Sequence, residues 1–238
     1  MNDWSAILDR MRTYGQYCPI ARASEVLAQR WTPLILRDLL SGSTTFTELA
    51  DGAPGLSRTL LTSRLRELKR VGVVETTPHP KGRGSLYGLT AAGRDLGEVM
   101  TALGKWGERW LDLAPEHTDP GFVLNSWCKM YLNRDLLPNR RVVIRFDFPD
   151  QPKKSTPLWF VFDEEESEVC RNHPGFEEDA IVTAESSALA EWHLGRIEWA
   201  AATRAGRIRI SGPRDLKRDL PTWNLRSKFA HMNSTTPV

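Results

Sequence analysis

The sequence predicts a mainly α winged helix-turn-helix domain followed by an α+β domain with an antiparallel sheet covered by helices. Three observations carry this reading. A helical apolar stripe over Ser57–Val71 leads into two short strands flanking the basic loop 78–84. Apolar alternation at period two appears only beyond residue 140, and a polar, proline-bearing stretch near 114–121 separates the two patterns.

The elements of the first half arrive in order. Trp31, Leu34, Ile35, Leu39 and Leu40 form the stripe of a helix with Pro33 in its first turn and Gly42 at its end. Thr44 or Thr45 caps a short helix containing Phe46, Leu49 and Ala50, and residues 51–55 (Asp-Gly-Ala-Pro-Gly) supply a turn. Ser57 then caps a helix whose stripe is Leu61, Leu65 and Leu68 and whose stop is Gly72. Burial of that stripe turns Arg58, Thr59, Thr62, Ser63 and Arg66 outward.

A helix followed by a basic-tipped hairpin suits double-stranded DNA. Arg58, Thr59, Thr62 and Ser63 are expected at base edges, and Arg64, Arg66, Lys81 and Arg83 on the backbone or minor groove. Arg64 borders the buried stripe, so an internal salt-bridge partner is its alternative. Lys69 and Arg70 lie too far along the helix for bases and fall to phosphate or solvent. Residues 57–83 carry seven basic and two acidic side chains, 7 − 2 = +5, whereas the whole chain is +2. Positive charge is concentrated where DNA would lie.

Thr90 is expected to cap a helix over Ala91–Leu113 with Leu96, Val99, Met100, Leu103, Trp106, Trp110 and Leu113 at spacings of three and four. With Trp4, Ile7, Leu8 and Met11, this stripe is read either as a homodimer surface or as intramolecular core.

In the second half, a helix over Phe122–Arg134 precedes strands holding Val142, Ile144, Phe146 and Phe148, then Leu158, Phe160 and Phe162. A turn at 163–167 precedes Val169, and a strand Ala180–Ala184 leads to a helix capped by Ser186 or Ser187. A helix Ile197–Arg204, a strand Arg207–Ser211 and a short helix after Pro213 complete the pattern. This half carries 17 basic and 18 acidic side chains, net −1, which argues against a second DNA clamp. Domain bounds are expected at 1–113, a linker 114–120, 121–230 and a disordered tail 231–238. Phe146, Phe148, Trp159, Phe160, Phe162, Trp192 and Trp199 either line a small apolar effector pocket or fill a solid core.

Taken together, Cys18-Pro19-Ile20, the run Arg30–Leu40, Phe46-Thr47-Glu48-Leu49, Gly55-Leu56-Ser57, the run Leu61–Leu68, Tyr87-Gly88-Leu89-Thr90, Gly93 and Trp106-Gly107 resemble the HxlR-type bacterial transcriptional regulators. The resemblance covers about the first 113 residues and departs at Pro33, where the family has an apolar residue. It implies a homodimer with its two recognition helices in successive major grooves of a pseudo-palindrome, acting as a repressor, and release by a ligand that prefers a different spacing of the two helices is the expected mechanism. It also marks Cys18 as a redox-sensing thiol; a buried structural thiol is the alternative. In the second half, Leu158–Phe162, Asp179–Ala184 and Gly206–Pro213 resemble the sterol-carrier-protein fold, which implies an apolar cavity between sheet and helices.

Three scattered cysteines, with neither a signal peptide nor a transmembrane run, point to a reducing bacterial cytoplasm and no membrane partner. Cys170 and His173 lack a second ligand pair, so no metal and no cofactor is expected. There is no P-loop, nucleophile elbow or zinc-protease helix, and the acidic run Glu164–Glu168 reads as a solvated hairpin tip, so no catalytic residues are assigned. The competing class is a small-molecule or lipid carrier whose first half serves as a dimerisation or docking module.

Overall fold

The computed structural model describes residues 13–80, 84–152, 157–163 and 167–230. In the first half, α1 (Pro19–Leu27) leads to α2 (Thr32–Leu40), α3 (Phe46–Gly52) and α4 (Arg58–Arg70). Each of the last three begins for a visible reason. Pro33 stands in the first turn of α2, where its missing N–H is no loss. Thr45 accepts the Glu48 N–H while the Glu48 carboxylate accepts the Thr45 N–H, a reciprocal cap for α3. The Ser57 hydroxyl accepts the Leu60 N–H to start α4.

Strands β1 (Val74–Pro78) and β2 (Ser85–Leu89) form an antiparallel hairpin with Thr76 opposite Tyr87, and the Tyr87 N–H donates to the Thr44 carbonyl at 2.7 Å. The α2 stripe is rotated from expectation: Leu36 is wholly buried and Leu34 is exposed. Trp31, just before α2, sits at φ 78°, a left-handed conformation unusual for a bulky side chain. Leu61, Leu65 and Leu68 of α4 close the core against Ile35, Leu36 and Leu49. The long helix α5 (Ala91–Trp110) starts with Thr90 accepting the Gly93 N–H, and it ends three residues before the expected Leu113.

The contacts divide the chain into two compact units between Leu103 and Gly104, inside α5. Residues 114–120, expected as a linker, are folded: residues 115–117 form a 3-10 turn, Thr118 is buried, and Pro120 opens α6 (Pro120–Met130). The sheet of the second unit comprises β3 (Val142–Asp147), β4 (Leu158–Phe162), β5 (Ser167–Cys170), β6 (Ala180–Ala184) and β7 (Ile208–Ser211). Their spatial order is β5-β4-β3-β6-β7.

In place of the antiparallel sheet that the alternation suggests, the sheet is mixed: β6 runs parallel to β3, with Ile144 opposite Ala180. The segment between β5 and β6 causes this by crossing the sheet instead of turning back. Along the crossing, His173 packs edge-on against Trp159 and Glu178 accepts the Trp159 indole N–H at 2.9 Å. Helices α6, α7 (Ser186–His193), α8 (Trp199–Arg204) and α9 (Arg214–Asp219) pack on the opposite face through Trp127, Trp192, Ala202 and Leu216. Neither Ser186 nor Ser187 caps α7 by its side chain. Asp150, from the loop after β3, accepts the Ser186 N–H at 3.0 Å and its hydroxyl at 3.2 Å. No helix among the described residues is long and apolar enough to cross a membrane.

Candidate nucleic-acid interface

Helix α4 presents two chemically distinct sides. Leu61, Leu65 and Leu68 are buried, whereas Arg58, Thr59, Thr62, Ser63 and Arg66 are exposed. Arg58 stands over the Phe46 ring with its guanidinium carbon 5.7 Å from the centroid. This stacking leaves the polar edge of the fork available for a bidentate acceptor. The Thr62 hydroxyl donates to the Arg58 carbonyl at 2.9 Å, and Arg66 makes no ion pair among the described residues. The exposed side offers Arg58 and three hydroxyls on the N-terminal half of a helix whose dipole favours anions there, with Arg66 further along.

Arg64 belongs to a different environment. Its Nε donates to the Arg30 carbonyl at 3.2 Å, beside the left-handed Trp31. It also borders an open cleft of about 370 Å³ with Glu25 and Gln29. The internal partner is thus a backbone carbonyl and not the carboxylate of a salt bridge. Lys69 donates to Thr76 Oγ1 at 2.6 Å, tying α4 to the hairpin, and Arg70 pairs with Glu67 at 2.6 Å. Lys81 and Arg83 lie outside the described residues, as do Trp4, Ile7, Leu8, Met11, Glu164–Glu166 and the tail 231–238.

Along α5, Leu96 and Met100 pack on the first core, whereas Val99, Leu103, Trp106 and Trp110 are exposed at spacings of four, three and four. Tyr17 and Ile20 are also exposed. Leu113 packs on the core of the second unit.

Phe146, Phe148, Phe160, Phe162 and Trp192 are fully buried on the helix-covered face, with Trp199 packed beside them. The structure separates Trp159 from this group, because alternation along β4 turns it to the opposite face with Val143 and Val161. The rings touch one another: Phe160 and Phe162 stack at 4.1 Å, and Trp192 meets Trp199 at 4.7 Å. Trp127, central to the cluster, lies 5.2 Å from both Phe160 and Trp192. Trp223 packs edge-on to Phe162 at 5.0 Å, and its buried indole N–H has no acceptor among the described residues.

A buried polar trio escaped the sequence reading, since Ser126, His193 and Asn224 are distant in the chain and share no motif. Asn224 Oδ1 accepts the Arg226 N–H at 2.8 Å, which turns its amide nitrogen toward His193 Nδ1 at 3.0 Å. Nδ1 is then an acceptor, so the ring hydrogen sits on Nε2, 3.4 Å from Ser126 Oγ. In that tautomer the imidazole donates to the serine and cannot take its proton, so the trio fastens α6, α7 and the C-terminal segment together. Burial first, with the Arg226 charge adding, pushes the His193 pKa down to about 4.

Burial also drives the Cys128 thiol up to about 12 and the Cys170 thiol up to about 11, the latter helped by Glu168. Cys18 is half-exposed at the start of α1, not buried. Among the described residues no cluster of His, Cys, Asp or Glu could hold a metal, and His173 Nδ1 instead accepts the Gly175 N–H.

Residues 26–115 match the model of the HxlR-like helix-turn-helix family. Two curated relatives are HTH-type transcriptional regulators, both uncharacterized. One, from Synechocystis, is 36% identical over 99 residues, covering 41% of this chain and 73% of the relative. The other, YvaP of Bacillus subtilis, is 35% identical over 100 residues, covering 41% of this chain and 93% of the relative. This chain belongs to the HxlR-like helix-turn-helix family. Among solved structures, the reduced form of the transcriptional regulator YodB from B. subtilis aligns at 28% identity and a TM-score of 0.36, covering 41% of this chain and 97% of that one. As an HxlR-like protein, the chain is a DNA-binding transcriptional regulator.

Proposed function

We propose that this HxlR-like protein is a homodimeric repressor that inserts α4 into the major groove of each half of a pseudo-palindromic operator. The observation that carries this reading is the division of α4 into a buried leucine stripe and an exposed row of Arg58, Thr59, Thr62, Ser63 and Arg66. Arg58, Thr59, Thr62 and Ser63 contact bases, and Arg66, with Lys81 and Arg83 of the wing, contacts phosphate or the minor groove. Arg64 serves chiefly to hold α4 against the Arg30–Trp31 turn. Selection of bound duplexes from a random pool tests the reading: a two-fold symmetric consensus is expected, and recovery of no preferred sequence would overturn the base contacts assigned to α4.

The second unit stabilises the dimer and responds to a small apolar effector. Ring-to-ring packing of Phe146, Phe160, Phe162, Trp127, Trp192 and Trp199 supports the scaffold role. The unsatisfied Trp223 N–H within that aromatic cluster supports a ligand with an apolar body and one acceptor oxygen. Native mass spectrometry beside the denatured spectrum tests this. A dimer carrying a small mass that denaturation removes is the expected result, and a bare dimer favours the scaffold role alone.

A further inference from the structure

Residues 204–218 carry a run of positive charge along consecutive elements at one edge of the second unit's sheet, although that half of the chain is net negative. Six basic residues (Arg204, Arg207, Arg209, Arg214, Lys217 and Arg218) face one acidic residue, Asp215, so 6 − 1 = +5. With the half at −1, the remainder of it is −1 − 5 = −6. The +5 equals the charge of the segment holding the recognition helix and its wing.

Folding neutralises part of this charge and leaves the rest in water. Arg207 is held by Glu185 and Glu191 at 2.8 Å each, and Arg218 by Asp219 at 2.6 Å. Arg204, Arg209, Arg214 and Lys217 are exposed and make no ion pair among the described residues. They lie on consecutive elements joined by short connections: the end of α8, the edge strand β7, and α9. Ile208 of β7 points into the core, so Arg209 projects from the other face of the sheet at its edge. The tight turn at Gly212 fixes where α9 begins, because a Cβ there would press on Ala180 and the Asp179 carbonyl. Exposed cations strung along consecutive elements, without ion-pair partners among the described residues, suit an extended polyanion.

We propose that Arg204, Arg209, Arg214 and Lys217 form a second, sequence-independent contact with the phosphate backbone of duplex DNA. The inference rests on the protein being a DNA-binding regulator. It assigns to the second unit a share of affinity without a share of specificity.

The test uses the full-length protein and a 40-base-pair duplex of random sequence, with binding followed by fluorescence anisotropy across 50–200 mM KCl. The triple variant Arg209→Ala/Arg214→Ala/Lys217→Ala removes exposed side chains only, and its thermal melt should match the parent. Each phosphate contact contributes about 0.9 to the slope of log affinity against log salt, so the triple variant should be shallower by about 2 to 3. The variant Arg209→Lys/Arg214→Lys/Lys217→Arg keeps every charge and should keep the parent slope. An unchanged slope for the alanine variant overturns the proposal, as does an equal loss in the charge-preserving one. The variant Arg58→Ala/Arg66→Ala, run in parallel, separates the two readings. Its failure to weaken binding counts against the role of α4, whereas the slope of the alanine triple variant bears on the second surface alone.

Discussion

Under the proposed reading, two arginines six positions apart on α4 divide the work of DNA binding and stability. Arg58 is exposed and stacked on Phe46, and Arg64 is bonded to the Arg30 carbonyl. Arg58→Ala should weaken the preferred site by roughly 1 to 3 kcal/mol and relax its specificity. Arg64→Ala should instead lower the urea midpoint, with a loss on the order of 1 kcal/mol for the bond to the backbone. Gel shifts and denaturation of both variants check this, and a reversed pattern would exchange the two roles. His193 makes a separate prediction. Its folded pKa, about 4, lies below the ordinary 6.5, so between these values the unfolded chain binds the extra proton. Stability is therefore fully present above about pH 6.5 and lost as pH falls toward 4, by on the order of 3 kcal/mol from this group. His193→Gln should be less stable at pH 7.5 and lose less on acidification. Parallel urea curves at pH 7.5 and 4.5 for the two proteins would contradict the assignment.

At the scale of elements, α5 carries glycines with opposite consequences. A Cβ on Gly93 would collide with the Val73 carbonyl and crowd Leu89 Cδ2 at 2.9 Å, whereas one on Gly97 meets only Leu40 Cδ2 at 3.5 Å. Gly93→Ala should destabilise the first unit by roughly 1 to 3 kcal/mol through overpacking. Gly97→Ala should stabilise it by about 0.5 to 1 kcal/mol through helix propensity alone. Thermal melts that rank the two in the same direction would refute the packing argument. The winged half was readable because caps, stripes and stops coincide within a few residues: Ser57, the leucines and Gly72 delimit α4 without outside help. The second half was less readable for a physical reason. Alternation at period two identifies β3 and β6 but is the same for parallel and antiparallel partners, so the crossing segment and its contacts with Trp159 left no local trace. The cap of α7 was missed similarly, since Asp150 reaches it from 36 residues away.

At the scale of the whole molecule, the proposed two-fold operator would require two copies of α4 and, with them, a surface that joins two chains. The strongest candidate lies on α5, where Val99, Leu103, Trp106 and Trp110 are each about half exposed and share one side of the helix. Sequence alone could not separate this row from core, because Leu96 and Met100, which are packed inward, continue the same pattern of threes and fours. Large exposed aromatics in a row are costly to leave in water, and tryptophan is among the residues that dominate interfaces when buried. Trp106→Arg and Trp110→Arg each place a charge where the partner's apolar row would lie. Each should weaken the dimer by roughly 2 kcal/mol or more, about thirtyfold in dissociation constant, while leaving the far-ultraviolet circular dichroism unchanged. Sedimentation equilibrium reads the dimer constant directly. Operator affinity should fall alongside it, since an isolated half-site contact forgoes the second helix. A folded Trp110→Arg protein that stays dimeric would remove the C-terminal end of α5 from the interface and leave Val99 and Leu103, with Tyr17 and Ile20, as the surface to test.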